Sequence, residues 1–303
     1  MRADTRAAVN WLVGPAAVST AAQLACLLEV SAPKPGNVAP GRHFVDTRYE
    51  DFLASAAAIG GPLAGVGCRP VGATVRLAID ATAQWTRSNT NLGIVLLLTP
   101  LARAALEQEQ GGLTGLRDAV RRVLETTTID DAREVYAAIR QASPGGLGRV
   151  EEQDVAGDPD VTLIEAMRLA AHRDGVAREY VTAFETTFET GAPALVRARR
   201  DGLTWDDAIV ETFLYLLAAA PDTHVARRGG AGAAAAVQHR AIVALAAGGV
   251  RSPEGRRAIE EMDRVLRHAR NAANPGTTAD LTAAAAFVVL LGGGWRSAVS
   301  FDL

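Results

Sequence analysis

Lys34 is the single lysine of the chain, and proline stands on both sides of it, in Pro33-Lys34-Pro35-Gly36-Asn37. Paired prolines end a preceding helix and stiffen the local backbone, so the sequence predicts an ammonium presented from a rigid loop, a geometry that suits a phosphate. The bland alternative is a helix-ending turn with a solvated lysine. Gly41-Arg42-His43, Asp46 and Asp51 follow, adding a guanidinium, an imidazole and carboxylates.

Four further polar segments combine glycine or proline with groups able to hold phosphate or ribose. Ser88-Asn89-Thr90-Asn91-Leu92-Gly93 opens an apolar run, where side chains and free N–H groups at a helix start bind an anion or a sugar, or serve as an ordinary N-cap. Gly145-Gly146-Leu147-Gly148-Arg149, with Asp154, offers one cation and several carboxylates. Pro221-Asp222-Thr223-His224-Val225-Ala226-Arg227-Arg228-Gly229-Gly230 sets an acid and two forked cations before a glycine-rich helix start. Asn274-Pro275-Gly276-Thr277-Thr278-Ala279-Asp280 places a carboxylate in the first turn of an apolar helix, where it complements the helix dipole or holds a metal or a ribose hydroxyl. Asparagine is scarce, and five of its six occurrences (Asn37, Asn89, Asn91, Asn271, Asn274) fall in these segments.

The elements that must position these groups read as helices throughout. Apolar residues recur at helical spacing and no run alternates as a strand would, which predicts an all-α, compact bundle of about twelve helices in one domain over 1–303, with the site built from inter-helix loops. The expected helices cover 17–31, 48–65, 71–87, 91–109, 114–125, 129–142, 162–173, 175–190, 204–219, 230–248, 253–270 and 278–291. Ala233–Ala236 and Ala283–Ala286 are expected on central, tightly packed helices. The stretch 143–160 is the longest without helical pattern, either a functional loop or a linker.

Composition narrows the classes. Thirty-one Lys plus Arg against 34 Asp plus Glu give a formal charge of −3, so the global charge points to no nucleic-acid partner and any phosphate chemistry must rest on local clusters. Cys26 and Cys68 lack metal-ligand spacing and are expected as buried small hydrophobes in a reducing compartment. The first residues lack a sustained apolar core, so no signal peptide is expected and the cytoplasm is the expected location. The most apolar runs are shorter than a membrane span needs. Oligomeric state is not legible.

Taken in order, PKPG, an Asp after a His, N-T-x-x-G, a GLG-R loop, D-T-x-x-x-R-x-G and N-P-G-x-x-A-D-L resemble the triphosphoribosyl-dephospho-CoA synthase family from residue 24 to about 292. The resemblance implies an all-helical enzyme that uses ATP as a triphosphoribosyl donor, releases adenine and joins ribose C1 to the 2′-hydroxyl of dephospho-CoA. The chain departs from the family where Asn-Thr-His-Lys-Gly becomes Asn89-Thr90-Asn91-Leu92-Gly93, and where Asn37-Val38 follows PKPG.

The chemistry so implied passes through an oxocarbenium-like ribose and needs anions near C1, a proton donor for the base and a proton acceptor for the hydroxyl. On this reading Lys34, Arg227 and Arg228 hold the triphosphate, and Asp46, Asp222 and Asp280 hold Mg²⁺ or the ribose hydroxyls. Asn37, Asn89 and Asn274 orient the sugar, and Pro35, Gly36, Arg42, His43, Thr90, Asn91, Gly148, Arg149, Thr223, Gly229, Gly230 and Gly276 complete the nucleotide site. Magnesium is expected because carboxylates beside a triphosphate need a cation between them. The alternatives are transfer to another hydroxyl such as a methanopterin-type ribitol, a Mg-dependent nucleotide or ADP-ribosyl hydrolase, and a nucleotide-binding helical scaffold without catalysis.

Overall fold

The structure, a computed structural model, describes residues 11, 14–108, 112–145, 148, 152–267 and 272–295. Among them are fourteen α-helices and no strand: α1 Pro15–Ser31, α2 Tyr49–Ala58, α3 Gly60–Ala64, α4 Val71–Ala83, α5 Leu92–Glu107, α6 Leu113–Glu125, α7 Ile129–Ala142, α8 Leu163–Ala170, α9 Gly175–Thr182, α10 Ala192–Arg200, α11 Trp205–Ala219, α12 Thr223–Ala246, α13 Pro253–Leu266 and α14 Gly276–Leu291. The expected all-α class holds.

The axis of the bundle is α14. From Thr282 to Leu291 every side chain is buried, because the helix is apolar on all faces and α1, α5, α10 and α11 surround it. Ala283–Ala286 sit at its centre, as expected, and their small side chains let the neighbours approach. Ala233–Ala236 behave differently. Only Ala234 is buried, and Ala235 and Ala236 face outward, because α12 lies on the rim of the bundle.

Two local features fix the frame around the site. Pro100 lies inside α5 and has no N–H to give the Leu96 carbonyl four residues back. The buried Tyr180 hydroxyl of α9 donates to that same oxygen at 2.7 Å, so the carbonyl freed by proline joins the two helices. Between α4 and α7 the contact is so close that a Cβ on Gly72 would lie 2.4 Å from the Asp131 carbonyl oxygen, and the Gly72 N–H donates to Asp131 Oδ1 at 2.7 Å.

Several boundaries depart from expectation. The span 48–65 divides into α2 and α3 at Ile59, where Gly60 leaves room for the Gln23 side chain. The span 175–190 breaks at Ala183 and Phe184, both at positive φ, and continues as a π-helical turn, Thr186–Gly191, held by Glu179 accepting from the Thr186 and Thr187 N–H groups. Helix α10 was not expected at all; Pro193 reads as a breaker, yet it occupies the first turn, where its missing N–H costs nothing. Cys26 is buried as expected, whereas Cys68 is exposed in the short turn Val66–Cys68. Among the described residues no helix is long and apolar enough to cross a membrane.

Candidate functional site

A cleft opens where four helix ends meet. The C-terminal turn of α1 contributes Glu29 and Val30, the following loop contributes Asn37, Val38 and Phe44, and the start of α5 contributes Asn89–Ile94. His224 enters from the first turn of α12, and Asn274, Gly276, Ala279 and Asp280 from the start of α14. Segments separated by some 250 residues therefore share one space, whose lining includes the N-terminal turns of α5 and α14.

Two carboxylates, Glu29 and Asp280, line this space. Asp280 packs against the first turn of α5 so closely that a Cβ on Gly93 would stand 2.0 Å from its Oδ2. Burial first, then the nearby charges of Glu29, Asp222 and Asp174, hold the Asp280 carboxyl well above the usual carboxylate range, and Arg227 opposes the rise. Glu29 is nearly buried, and its carboxylate is paired with Lys34 at 2.9 Å.

That pairing corrects the expectation for Lys34. The side chain is fully buried and does not open on the cleft; its Nζ donates to the Glu29 and Ala32 carbonyls as well as to the Glu29 carboxylate. The chain reverses direction after Ala32, so the lysine folds back under the end of α1 and satisfies carbonyls that the terminated helix leaves open. Lys34 orders Glu29 instead of reaching a phosphate.

His224 lies against Gly276, where a Cβ would come within 3.3 Å of the ring. Burial, with the charges of Arg227 and Arg228, pushes its imidazole down to about 4, so the ring is neutral near pH 7. Its Nδ1 lies 3.5 Å from Arg227 Nη2, and its buried Nε2 has no partner among the described residues. Asn274 Oδ1 and Arg227 Nε are likewise buried and unpartnered there. Buried polar atoms without partners are costly, and three of them around one cleft mark a place built for a polar ligand. Arg227 itself is ion-paired with Asp174, which also caps α9 through the Val176 and Ala177 N–H groups.

Asp222 is not a free ligand. Its Oδ1 accepts from the Val225 N–H at 2.9 Å, capping α12, and its Oδ2 accepts from the Thr278 N–H and hydroxyl at 2.7 Å each. Burial raises its pKa and these hydrogen bonds oppose the rise. The carboxylate ties the start of α12 to the start of α14. Thr223 reinforces the junction, donating to Thr277 Oγ1 at 3.0 Å and accepting from the Gly175 N–H at 3.0 Å. Because Asp222 starts α12 at Thr223 and not at 230, Arg227, Arg228 and Gly229 ride on its first turns, and the glycine pair marks a kink at Gly230 (φ 83°) instead of a phosphate-cradling loop.

The remaining expectations divide. Asn37, Asn89, Thr90, Asn91, Asn274 and Gly276 do line the cleft. Asn89 accepts from the Leu92 N–H at 3.1 Å and Asn91 donates to Thr82 at 3.0 Å, so both also build the start of α5. Pro35 and Gly36 shape the loop from below: Gly36 has φ 78°, lies against Leu266 and Pro275, and donates to Asp263 at 2.8 Å. Arg42 pairs with the same Asp263 at 3.1 Å, outside the cleft. His43 is exposed and accepts from the Tyr49 N–H at 3.2 Å. Asp46 is exposed, and its carbonyl anchors Ser88 at 2.8 Å. Arg228 is exposed on α12. Gly148 lies with α7 and α8 on a separate cavity, and Arg149 and Asn271 fall outside the described residues.

The expected magnesium triad is therefore dispersed: Asp46 is at the surface, Asp222 is consumed by a helix junction, and only Asp280 lines the cleft. Among the described residues no three His, Cys, Asp or Glu side chains converge as a metal set. Residue reasoning missed Glu29, Asp174 and Asp263. Glu29 lies in the last turn of α1 within an apolar run and outside the polar segments, and only its spacing of five residues from the lone lysine hinted at a pair.

Comparisons with known proteins give the family. Residues 15–299 match the family described as CitG: ATP:dephospho-CoA triphosphoribosyl transferase. The 2-(5″-triphosphoribosyl)-3′-dephosphocoenzyme-A synthase of Pectobacterium atrosepticum is 31% identical over 242 residues, covering 80% of this chain and 70% of that protein. A protein of Pseudomonas paraeruginosa provisionally given the same name is 38% identical over 128 residues, 41% of this chain and 43% of its own length. Such first-ranking Pseudomonas relatives are thus matched over only about two fifths of their length. A crystal structure from Archaeoglobus fulgidus, provisionally named triphosphoribosyl-dephospho-CoA synthase, superposes with a TM-score of 0.62 at 31% identity, covering 80% of this chain and 99% of that one. With its match running from the first helix past the last, the chain belongs to the ATP:dephospho-CoA triphosphoribosyl transferase family.

Proposed function

We propose that this chain is a single-domain cytoplasmic enzyme that transfers the triphosphoribosyl group of ATP to a hydroxyl of dephospho-CoA and releases adenine. The observation that carries the reading is the meeting of Asp280, Glu29 and neutral His224 in one cleft with two helix N-termini. Each meets a need of the reaction. As the bond from C1 to adenine lengthens, positive charge grows on the ribose, and the Glu29 and Asp280 side chains supply the negative field that stabilises it.

Asp280 then takes the proton of the incoming hydroxyl while that oxygen bonds to C1, a task matched to a carboxyl of raised pKa. His224, whose Nδ1 faces an arginine that can only donate, carries its proton on Nε2 and hydrogen-bonds the adenine as it departs with the C1–N electron pair; adenine then takes a proton from water and Asp280 returns the hydroxyl's proton to water, so the transfer balances. Asn37 and Asn274 orient the sugar, and Arg227 and Arg228 on the first turns of α12 add positive potential on that side of the cleft. The magnesium expected from the sequence would enter with the triphosphate, and no step here depends on a protein-bound ion.

The test is incubation of the purified protein with ATP and Mg²⁺, with and without dephospho-CoA, followed by mass spectrometry. Adenine and a triphosphoribosylated dephospho-CoA formed in equal amounts are expected. Adenine released equally without an acceptor would replace the reading with hydrolysis, and ATP binding without adenine release would replace it with a non-catalytic scaffold.

A further inference from the structure

Among the described residues the cleft's lining carries two carboxylates and no lysine or arginine, an odd wall for a reaction whose substrates are polyphosphates. A second chamber shares the segment Asn89–Thr90–Asn91 with it as a common partition. Its lining reverses the charge. Arg87 contributes a guanidinium, Thr82, Thr86, Ser88 and Gln141 contribute hydroxyl and amide groups, and among the described residues no acidic side chain lines it. Arg87 is exposed and has no hydrogen-bond or ion-pair partner among the described residues, in a protein where most arginines beside the site are paired with acids.

We propose that this chamber seats the phosphoanhydride arm of a bound nucleotide, with Arg87 as its charge contact. The inference rests on the reading of the cleft as a ribosyl-transfer centre and extends it. Two carboxylates favour the oxocarbenium-like carbon and repel phosphate, so a nucleotide with its ribose at Asp280 must carry its phosphates away from Glu29 and Asp280. Beyond the Asn89–Asn91 partition stands a guanidinium whose fork matches phosphate oxygens and whose hydrogen bonds are unclaimed among the described residues. Thr86, Ser88 and Gln141 can complete the contacts to bridging and terminal oxygens. Both substrates have such an arm, the triphosphate of ATP and the diphosphate of dephospho-CoA, and the chemistry is shared.

The experiment measures binding of ATP, dephospho-CoA and inorganic tripolyphosphate separately by titration calorimetry, for the wild type, Arg87→Ala and Arg87→Lys, with thermal melts as a folding control. Arg87 is exposed, so an unchanged melting temperature is expected for both variants. Loss of affinity on the order of tenfold for one nucleotide in Arg87→Ala, partly restored in Arg87→Lys, supports the proposal. Loss for dephospho-CoA alone assigns the chamber to the acceptor, and loss for ATP and tripolyphosphate assigns it to the donor. Unchanged affinity for all three overturns it. Turnover by the wild type is read separately, so a failure of the transferase reading shows as absent adenine release whatever Arg87 does.

Discussion

Lys34 Nζ lies 2.9 Å from Glu29 Oε1, with the lysine wholly buried and the glutamate opening on the cleft. The pair converts the end of α1 into a fixed carboxylate lining the same cleft as Asp280. A buried ion pair contributes little net stability while intact, but removing one partner leaves the other charged and desolvated. Lys34→Ala is therefore expected to destabilise the fold by about 3–5 kcal/mol and to lower transfer by disordering Glu29. Denaturant melts check the first part. A Lys34→Ala protein with wild-type stability would show that the ammonium is not structural.

Asp280→Asn should separate stability from activity. Because the folded-state pKa of Asp280 is raised, the fold favours its protonated form, and the stability so gained falls away as pH rises from the ordinary carboxylate range through the raised value. Asparagine removes the buried charge, so the variant is expected to be as stable as the wild type or more stable by about 1 kcal/mol at pH 7, while turnover drops by roughly 10²–10⁴-fold. In the wild type, the kcat profile should rise with pH through an inflection above the usual carboxylate range. A profile flat across that range would remove Asp280 as the base.

Gly93→Ala tests the same carboxylate from the other side. A methyl group there would occupy the position of Asp280 Oδ2, 2.0 Å away, and force the side chain out of the cleft. The helix itself gains from alanine in place of glycine. Expected, then, is a folded protein with turnover reduced as in Asp280→Asn, and a double variant no worse than either single one; additive losses would mean the two residues act apart.

The His224 imidazole is held down to about 4, against an unfolded value near 6.5. Its contribution to stability is full above the unfolded value and is lost as pH falls from about 6.5 toward 4, where the unfolded chain binds a proton that the folded one refuses. NMR of the ring should show no protonation at pH 5.5, and His224→Gln should flatten the acid side of the stability curve. Protonation of the folded-state ring near pH 6.5 would contradict its burial among arginines.

Asp222→Ala should behave as a structural lesion. It removes the cap on α12 and leaves the buried Thr278 N–H and hydroxyl without an acceptor, a loss of about 2–4 kcal/mol when a cap and an unsatisfied buried donor are combined. Magnesium should not rescue it. Recovery of activity at high Mg²⁺ without a change in stability would restore Asp222 as a metal ligand.

The order of motifs along the chain was enough to identify the all-helical class and four of the segments that meet at the cleft, because helix periodicity and turn residues are local properties that a one-dimensional pattern records. Asn37, Asn89, Asn91, Asn274 and Asp280 were legible this way. The roles of the charged residues were not. Lys34 and Asp222 carry the strongest sequence signals and are buried in helix junctions, whereas Glu29, which shows none, faces the cleft. A side chain's charge is visible in its type, but whether it meets solvent, a ligand or a neighbouring carbonyl depends on which distant helix ends are brought against it, and burial also sets whether Asp280 and His224 hold a proton. Those decisions belong to the packing of α1, α5, α12 and α14 around one another, which no segment carries by itself.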